Sequence, residues 1–279
     1  MEISLLSIVV LVGALFAAGA VAGLTAGLFG NGGGFVVVPA LLAVFPLFSD
    51  AYAQHIYVAV GTSLASIIVS SARSVQSHMK RNAVDFEVLR GWAPWLVIGV
   101  VGGLFIASKI DGTSLMLVFA IGVLVYSFYF LFPGWFANRS TGFSMPTGAG
   151  RAALATALGG FSSLLGIGGG TITVVTMVTC GRKVHQAVAT AAGVGFIISV
   201  PGAIGFLMLG LKEHGELPFG SLGYINLPAL LAVCVMSVIT APIGAKWAHS
   251  LNEMHLKRIF GLYLLGVSST MFYKSISTF

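Results

Sequence analysis

Charge is the scarcest property of this sequence. Asp, Glu, Lys and Arg make up 8% of its 279 residues, against roughly 25% in a soluble domain. So few charges cannot keep a globule of this size in water, which excludes a soluble enzyme or binding module. Cysteine is nearly absent too: Cys180 and Cys234 are too few for a disulfide framework. No basic cluster carries interleaved aromatics, so the net charge of +6 is not read as a nucleic-acid surface. There is no G-x-x-x-x-G-K-[ST] phosphate loop and no H-E-x-x-H, and no Cys/His cluster has zinc spacing. Neither a cofactor nor a metal is expected, nor is an enzyme, since no nucleophile and base face one cavity.

What remains is apolar. AVILMFWYC residues account for 57% of the chain and glycine for 37 positions. This is the composition of an all-α polytopic membrane protein with the lipid bilayer as its solvent. The length suits roughly eight to ten membrane segments of about 20 residues. Apolar runs fall at residues 3–29, 35–48, 54–77, 88–108 and 113–132, then at 151–165, 171–180, 185–211, 224–249 and 255–274. The first run has only Glu2 before it and lacks a basic leader, so it is expected to be a span, not a cleavable signal.

The runs repeat. Gly30-x-Gly32-Gly33-Gly34 matches Gly166-x-Gly168-Gly169-Gly170, and His55 with Val58-Ala59-Val60 matches His185 with Val188-Ala189-Thr190. Further on, Pro94 corresponds to Pro228, and residues 103–110 correspond to 244–251. Several matched segments in one order argue for a duplication: a first transmembrane repeat at 1–133, a linker at 134–150 and a second repeat at 151–279.

Charge placement orients the two repeats. If each glycine stretch reverses the chain, each repeat crosses an odd number of times and the two are inverted. Arg73, Lys80, Arg81, Arg90, Arg139, Arg151, Arg182, Lys183, Lys246, Lys257 and Arg258 then share one side, and Lys109, Lys212 and Lys274 the other. If the chain does not reverse there, the basic residues divide almost evenly. The positive-inside rule favours the inverted arrangement, with both termini outside.

Broken helix backbone survives in lipid only where protein buries it or where it lines a wet cavity. Two breaks at matching places in inverted repeats mark the central site of a transporter. Helices starting after the breaks aim positive dipole ends at them, which suits an anion. The candidate binding residues are Asn31, Gly32, Gly33, Gly34, Thr62 and Ser63 in the first repeat, with Gly168, Gly169, Gly170 and Thr171 in the second. His55 and His185 are either interfacial anchors or part of a gate or proton relay. Arg73 either snorkels to the surface or contacts the anion.

These motifs resemble the TauE/SafE family, also called TSUP, of sulfite and organosulfur-anion exporters. The resemblance rests on Gly30-Asn31-Gly32-Gly33-Gly34 followed by Pro39, on Ala59-Val60-Gly61-Thr62-Ser63-Leu64, and on Gly166-Ile167-Gly168-Gly169-Gly170. The family often repeats a Gly-Thr-Ser element where this sequence has Ala191-Ala192-Gly193, leaving Thr190 as the nearby hydroxyl. The resemblance implies export of sulfite, sulfoacetate or related organosulfonates across the bacterial inner membrane. The expected mechanism is alternating access, with the anion between the two breaks. An anion channel and a carrier of another small anion, such as a carboxylate, are the alternatives. The apolar surface also permits a homodimer.

Overall fold

The structure, a computed structural model, describes residues 5–30, 32–47, 49, 52–132, 144–213, 215–247 and 253–277. Asn31 and most of the linker lie outside the described residues. The helices are α1 (Leu5–Phe29), α2 (Gly34–Val44, continued by a 3-10 turn at Phe45–Leu47), α3 (Tyr52–Met79), α4 (Phe86–Ala107) and α5 (Gly112–Leu131). They are followed by α6 (Gly148–Leu165), α7 (Gly170–Thr179), α8 (Val184–Gly210), α9 (Leu227–Trp247) and α10 (Glu253–Ser277). The order long, short, long, long, long occurs twice. Helix α6 starts inside the stretch assigned to the linker.

Six of these helices are long and apolar enough to cross a membrane, and α2 and α7 are shorter apolar pieces. Large apolar side chains stand exposed in helical stripes: Val97, Val101 and Phe105 on α4, Ile121, Val125 and Phe128 on α5, and Leu231, Val235 and Ile239 on α9. Such faces are stable against lipid, where every backbone group is already satisfied inside the helix. The fold is an all-α polytopic membrane protein.

Small residues set how the helices meet. Gly19, Gly23 and Gly27 press α1 onto α9 at Val233, Ser237 and Ala241, in that order, so the two helices run parallel. Spacing of four puts these glycines on one face and lets the backbones touch. The mirrored pair is α4 on α6: Gly99 meets Thr156 and Gly103 meets Gly160, again parallel. By contrast α3 and α8 run antiparallel, with Phe206, Leu64 and Ser71 packed against Gly61, Gly202 and Gly195. So do α5 and α10, where Ser127 donates to Gly261, Ser268 to Ala120 and Ser275 to Thr113. Each helix thus meets the partner that an inverted two-fold relation demands. A Cβ added at Gly102, beside Gly103, would meet nothing within 4 Å.

The loops sort onto two faces accordingly. Arg182 pairs with Asp85 at 3.5 Å, joining the α7–α8 loop to the α3–α4 loop. On the opposite face Ala53 packs on Gly112, and the Tyr57 hydroxyl donates to the Ile110 carbonyl at 2.5 Å. Asp111 caps α5 there, and its hydrogen bond from Ser114 holds the carboxyl below its ordinary range. One segment differs from the apolar pattern. Residues 224–226 are not helical: β1 (Ser221–Leu222) pairs with β2 (Ile225–Asn226), and helix α9 waits until Leu227. Positive φ at Gly220 and Gly223 permits the turn, and the Asn226 side chain then caps α9 by accepting from Ala229.

Candidate functional site

Both glycine stretches are corners at which the chain doubles back. Gly30, Gly32 and Gly33 in the first and Gly166 and Gly169 in the second have φ between 64° and 82°. Such angles strain any residue with a Cβ. Gly33 and Gly169 occupy the N-cap positions of α2 and α7, and neither helix has a side-chain cap. Val36 and Val37 donate to the Gly33 carbonyl and Thr173 to the Gly169 carbonyl, so the N–H groups without a side-chain cap are those at the very start of each helix, Gly34 and Phe35 in α2 and Gly170 and Thr171 in α7. The two corners meet: Gly34 lies against the Gly166 carbonyl and Ile167. The start of α2 thus lies against the second break, deep in the protein and just before α7 begins.

Pro39 adds a local consequence. It offers no N–H to the Phe35 carbonyl one turn earlier, and the Tyr263 hydroxyl of α10 reaches that oxygen at 3.5 Å.

The buried hydroxyls divide into two groups. Ser63 donates to the Gly166 carbonyl at 2.7 Å, and Ser70 donates to the Gly32 carbonyl at 3.0 Å. Each ties a break to α3. Thr62 accepts the Asn226 N–H at 2.8 Å. Ser63 therefore spends its proton inside the protein. The other group has no partner among the described residues: Ser71, Ser74, Ser162 and Thr171 are fully buried with unbonded hydroxyls. A Cβ on Gly169 would lie 3.0 Å from Ser162 Oγ, and one on Gly195 2.9 Å from Ser71 Oγ and 3.2 Å from the Gly168 carbonyl. Ser162 and Ser71 border the second break. They escaped the sequence reading; of the unbonded serines only Ser74 falls on a legible pattern, the stripe of Ser66, Ser70 and Ser74 at helical period.

A second symmetry surrounds the breaks. As Asn226 docks on Thr62, so the Asp85 N–H donates to Thr190 of α8 at 2.9 Å. In both cases the N-cap residue of a fourth helix sits on a threonine of the opposite half's third helix. Around Asp85 the partners are polar and charged: Arg182 and Gln186, the latter donating at 3.3 Å. Around Asn226 stand Tyr224 and Tyr57, stacked with ring centres 5.1 Å apart, with the Tyr224 hydroxyl donating to Glu213. Burial, then the hydrogen bond to Glu213, raises the Tyr224 phenol well above its ordinary range.

The remaining candidates do not converge on the breaks. His55 is buried beside Phe45 in the first turn of α3, whereas His185, its counterpart, is exposed at the start of α8. Arg73 is exposed and donates to Gln76 at 3.3 Å. Among the described residues no three His, Cys, Asp or Glu side chains gather to hold a metal ion.

Inverted halves with paired helix breaks are an architecture found among membrane transporters. Residues 15–271 match the family described as Sulfite exporter TauE/SafE, and the chain belongs to that family. It is 32% identical over 262 residues to a probable membrane transporter protein of Haemophilus influenzae, covering 92% of this chain and 96% of the relative. A probable membrane transporter protein of Methanocaldococcus jannaschii is 26% identical, covering 91% of this chain and 92% of its own. The probable membrane transporter protein YunE of Bacillus subtilis is 29% identical, covering 92% and 96%. No solved structure matches the chain. The protein is a multi-pass membrane transporter of the TauE/SafE type.

Proposed function

We propose that the protein exports a small sulfur-containing anion, such as sulfite or an organosulfonate, by alternating access between two inverted repeats at 1–133 and 151–279. The observation that carries this reading is the meeting of two glycine breaks, Gly34 against Gly166 and Ile167, each of which opens a helix without a side-chain cap. In a dry interior their N–H groups and dipole ends favour a negative oxygen. Backbone donors of Gly32, Gly33, Gly34, Gly168, Gly169, Gly170 and Thr171 would hold the anion, with the amide of Asn31 beside them. Thr62 and Ser63 would hold the breaks and their surroundings in shape. The matched docks of Asn226 on Thr62 and Asp85 on Thr190 suit the two gates that alternating access requires, one toward each face. Apolar outer faces suit lipid or a second copy of the chain, which cross-linking in native membranes tells apart.

Counterflow in proteoliposomes tests the mechanism. Saturable uptake of labelled sulfite, driven by unlabelled sulfite inside, is the expected result. Flux that neither saturates nor exchanges identifies a channel. Exchange of carboxylates without sulfite assigns a different substrate class.

A further inference from the structure

The second break leaves a backbone carbonyl without a partner. The Gly32 and Gly166 carbonyls are taken by Ser70 and Ser63, and the Gly169 carbonyl by Thr173. The Gly168 carbonyl is buried and accepts no hydrogen bond among the described residues. Ser71 of α3 comes to the same spot. A Cβ on Gly195 of α8 would lie 3.2 Å from the Gly168 oxygen and 2.9 Å from Ser71 Oγ. Both oxygens therefore border the point where Gly195 lacks a side chain. Ser71 is 1% exposed, and its hydroxyl bonds neither to this carbonyl nor to any other described group. One residue along the break, Ser162 Oγ stands beside Gly169, fully buried and likewise unbonded. A buried carbonyl with unbonded hydroxyls around it costs stability unless a ligand supplies what each group lacks.

These groups ask a ligand for different things. A serine hydroxyl can donate, which suits the oxygen of an anion, whereas a carbonyl only accepts. A bare oxyanion would set a negative oxygen against the carbonyl oxygen, and in a dry interior that repulsion is strong. An anion that carries its own O–H removes the conflict. Its proton goes to the carbonyl, and its charged oxygens take the serine protons. We propose that the Gly168 carbonyl, with Ser71 and Ser162, selects anions bearing a hydroxyl donor. Hydrogensulfite in its S–OH form is then the transported species, in preference to the sulfite dianion, sulfate and plain sulfonates. This rests on the anion reading above and names the kind of anion it left open. A site built around a substrate hydroxyl rejects the analogue lacking it, because its buried acceptor is left unpaired.

The test is calorimetry on the full-length protein in nanodiscs at mildly acidic pH, comparing hydrogensulfite with methanesulfinate. The second probe keeps the pyramidal SO2 group and carries a methyl where hydrogensulfite carries its hydroxyl. Both are monoanions under these conditions, so the charge of His78, His185 or any other protein group acts on them alike. The wild type should bind hydrogensulfite roughly tenfold to a hundredfold more tightly, the range for leaving a buried acceptor unpaired. Ser71→Ala removes a donor that both probes use and should weaken both to the same degree. Gly195 has no left-handed φ to forbid a side chain, so Gly195→Ala should fold and set its methyl against the carbonyl. The preference should then largely disappear. Gly195→Ser, whose own hydroxyl reaches the carbonyl, gives the same expected loss if the alanine variant does not fold. Equal affinities in the wild type leave the carbonyl to a water molecule and overturn the proposal, as does a preference that survives both Gly195 variants. If sodium ions stabilise the anion-free wild type more than potassium ions do, and Gly195→Ala removes that difference, the carbonyl holds a cation and the proposal falls. A wild type that binds neither probe overturns the anion reading itself.

Discussion

The two glycine breaks hold equivalent places in the two halves, and the protein finishes them differently. At the first, Ser70 donates to the Gly32 carbonyl, Ile67 fills the space beside Gly32, and Gly33 faces the Ala22 carbonyl. Backbone and engaged side chains close it. At the second, Gly169 faces the tip of Ile198 and the hydroxyl of Ser162, and Ser71 and Thr171 stand nearby without partners. Duplicated geometry has therefore not produced duplicated chemistry. A buried hydroxyl bonded to a carbonyl holds a corner in shape, whereas a buried hydroxyl without a partner costs stability until something accepts its proton.

Glycine replacement should separate the breaks most strongly. Gly33→Ala combines a left-handed backbone with a Cβ only 2.5 Å from the Ala22 carbonyl, which cannot move aside cheaply. Strain of about 1–3 kcal/mol plus overpacking of similar size should abolish recovery of folded protein in detergent. At Gly169 the nearest contact is the flexible end of Ile198, so Gly169→Ala should retain folded protein with about 1–3 kcal/mol less stability. Equal outcomes would remove the distinction.

Serine replacement sharpens the same contrast at smaller cost. Ser63→Ala strips the donor from the buried Gly166 carbonyl and should lower stability by about 1–3 kcal/mol. Ser162→Ala removes an unbonded hydroxyl, so thermal stability of the ligand-free protein should hold or rise while sulfite binding weakens about tenfold. The two docks come next. Thr62→Val leaves the Asn226 N–H without an acceptor and should cost about 1–2 kcal/mol. Thr190→Val should cost less, because Arg182 and Gln186 still hold Asp85. Denaturant unfolding of each variant measures both. The smallest effect belongs to Tyr263→Phe, whose bond to the Phe35 carbonyl is long at 3.5 Å and should be worth about 0.5 kcal/mol.

The helices were legible because lipid imposes a simple rule on the chain: long apolar runs, ended by glycine, charge or a cap. The repeat and its inversion followed from the glycine motifs and from basic residues crowding one side. Residues 221–226 were not legible. Two two-residue strands carry no alternation, and their hairpin depends on positive φ at Gly223 and on Asn226 reaching Thr62 across the fold. The site was half visible. Glycine corners announce themselves, but a sequence does not say whether a hydroxyl is spent on a carbonyl, as in Ser63, or left free, as in Ser162.

The central claim is that the paired breaks hold a sulfur oxyanion, and titration of the purified protein with sulfite, sulfate and methanesulfonate tests it most directly. Saturable heat with sulfite, diminished in Ser162→Ala, is the predicted result. Absence of heat with all three anions, or binding unaffected by Ser162→Ala and Gly169→Ala alike, would contradict it.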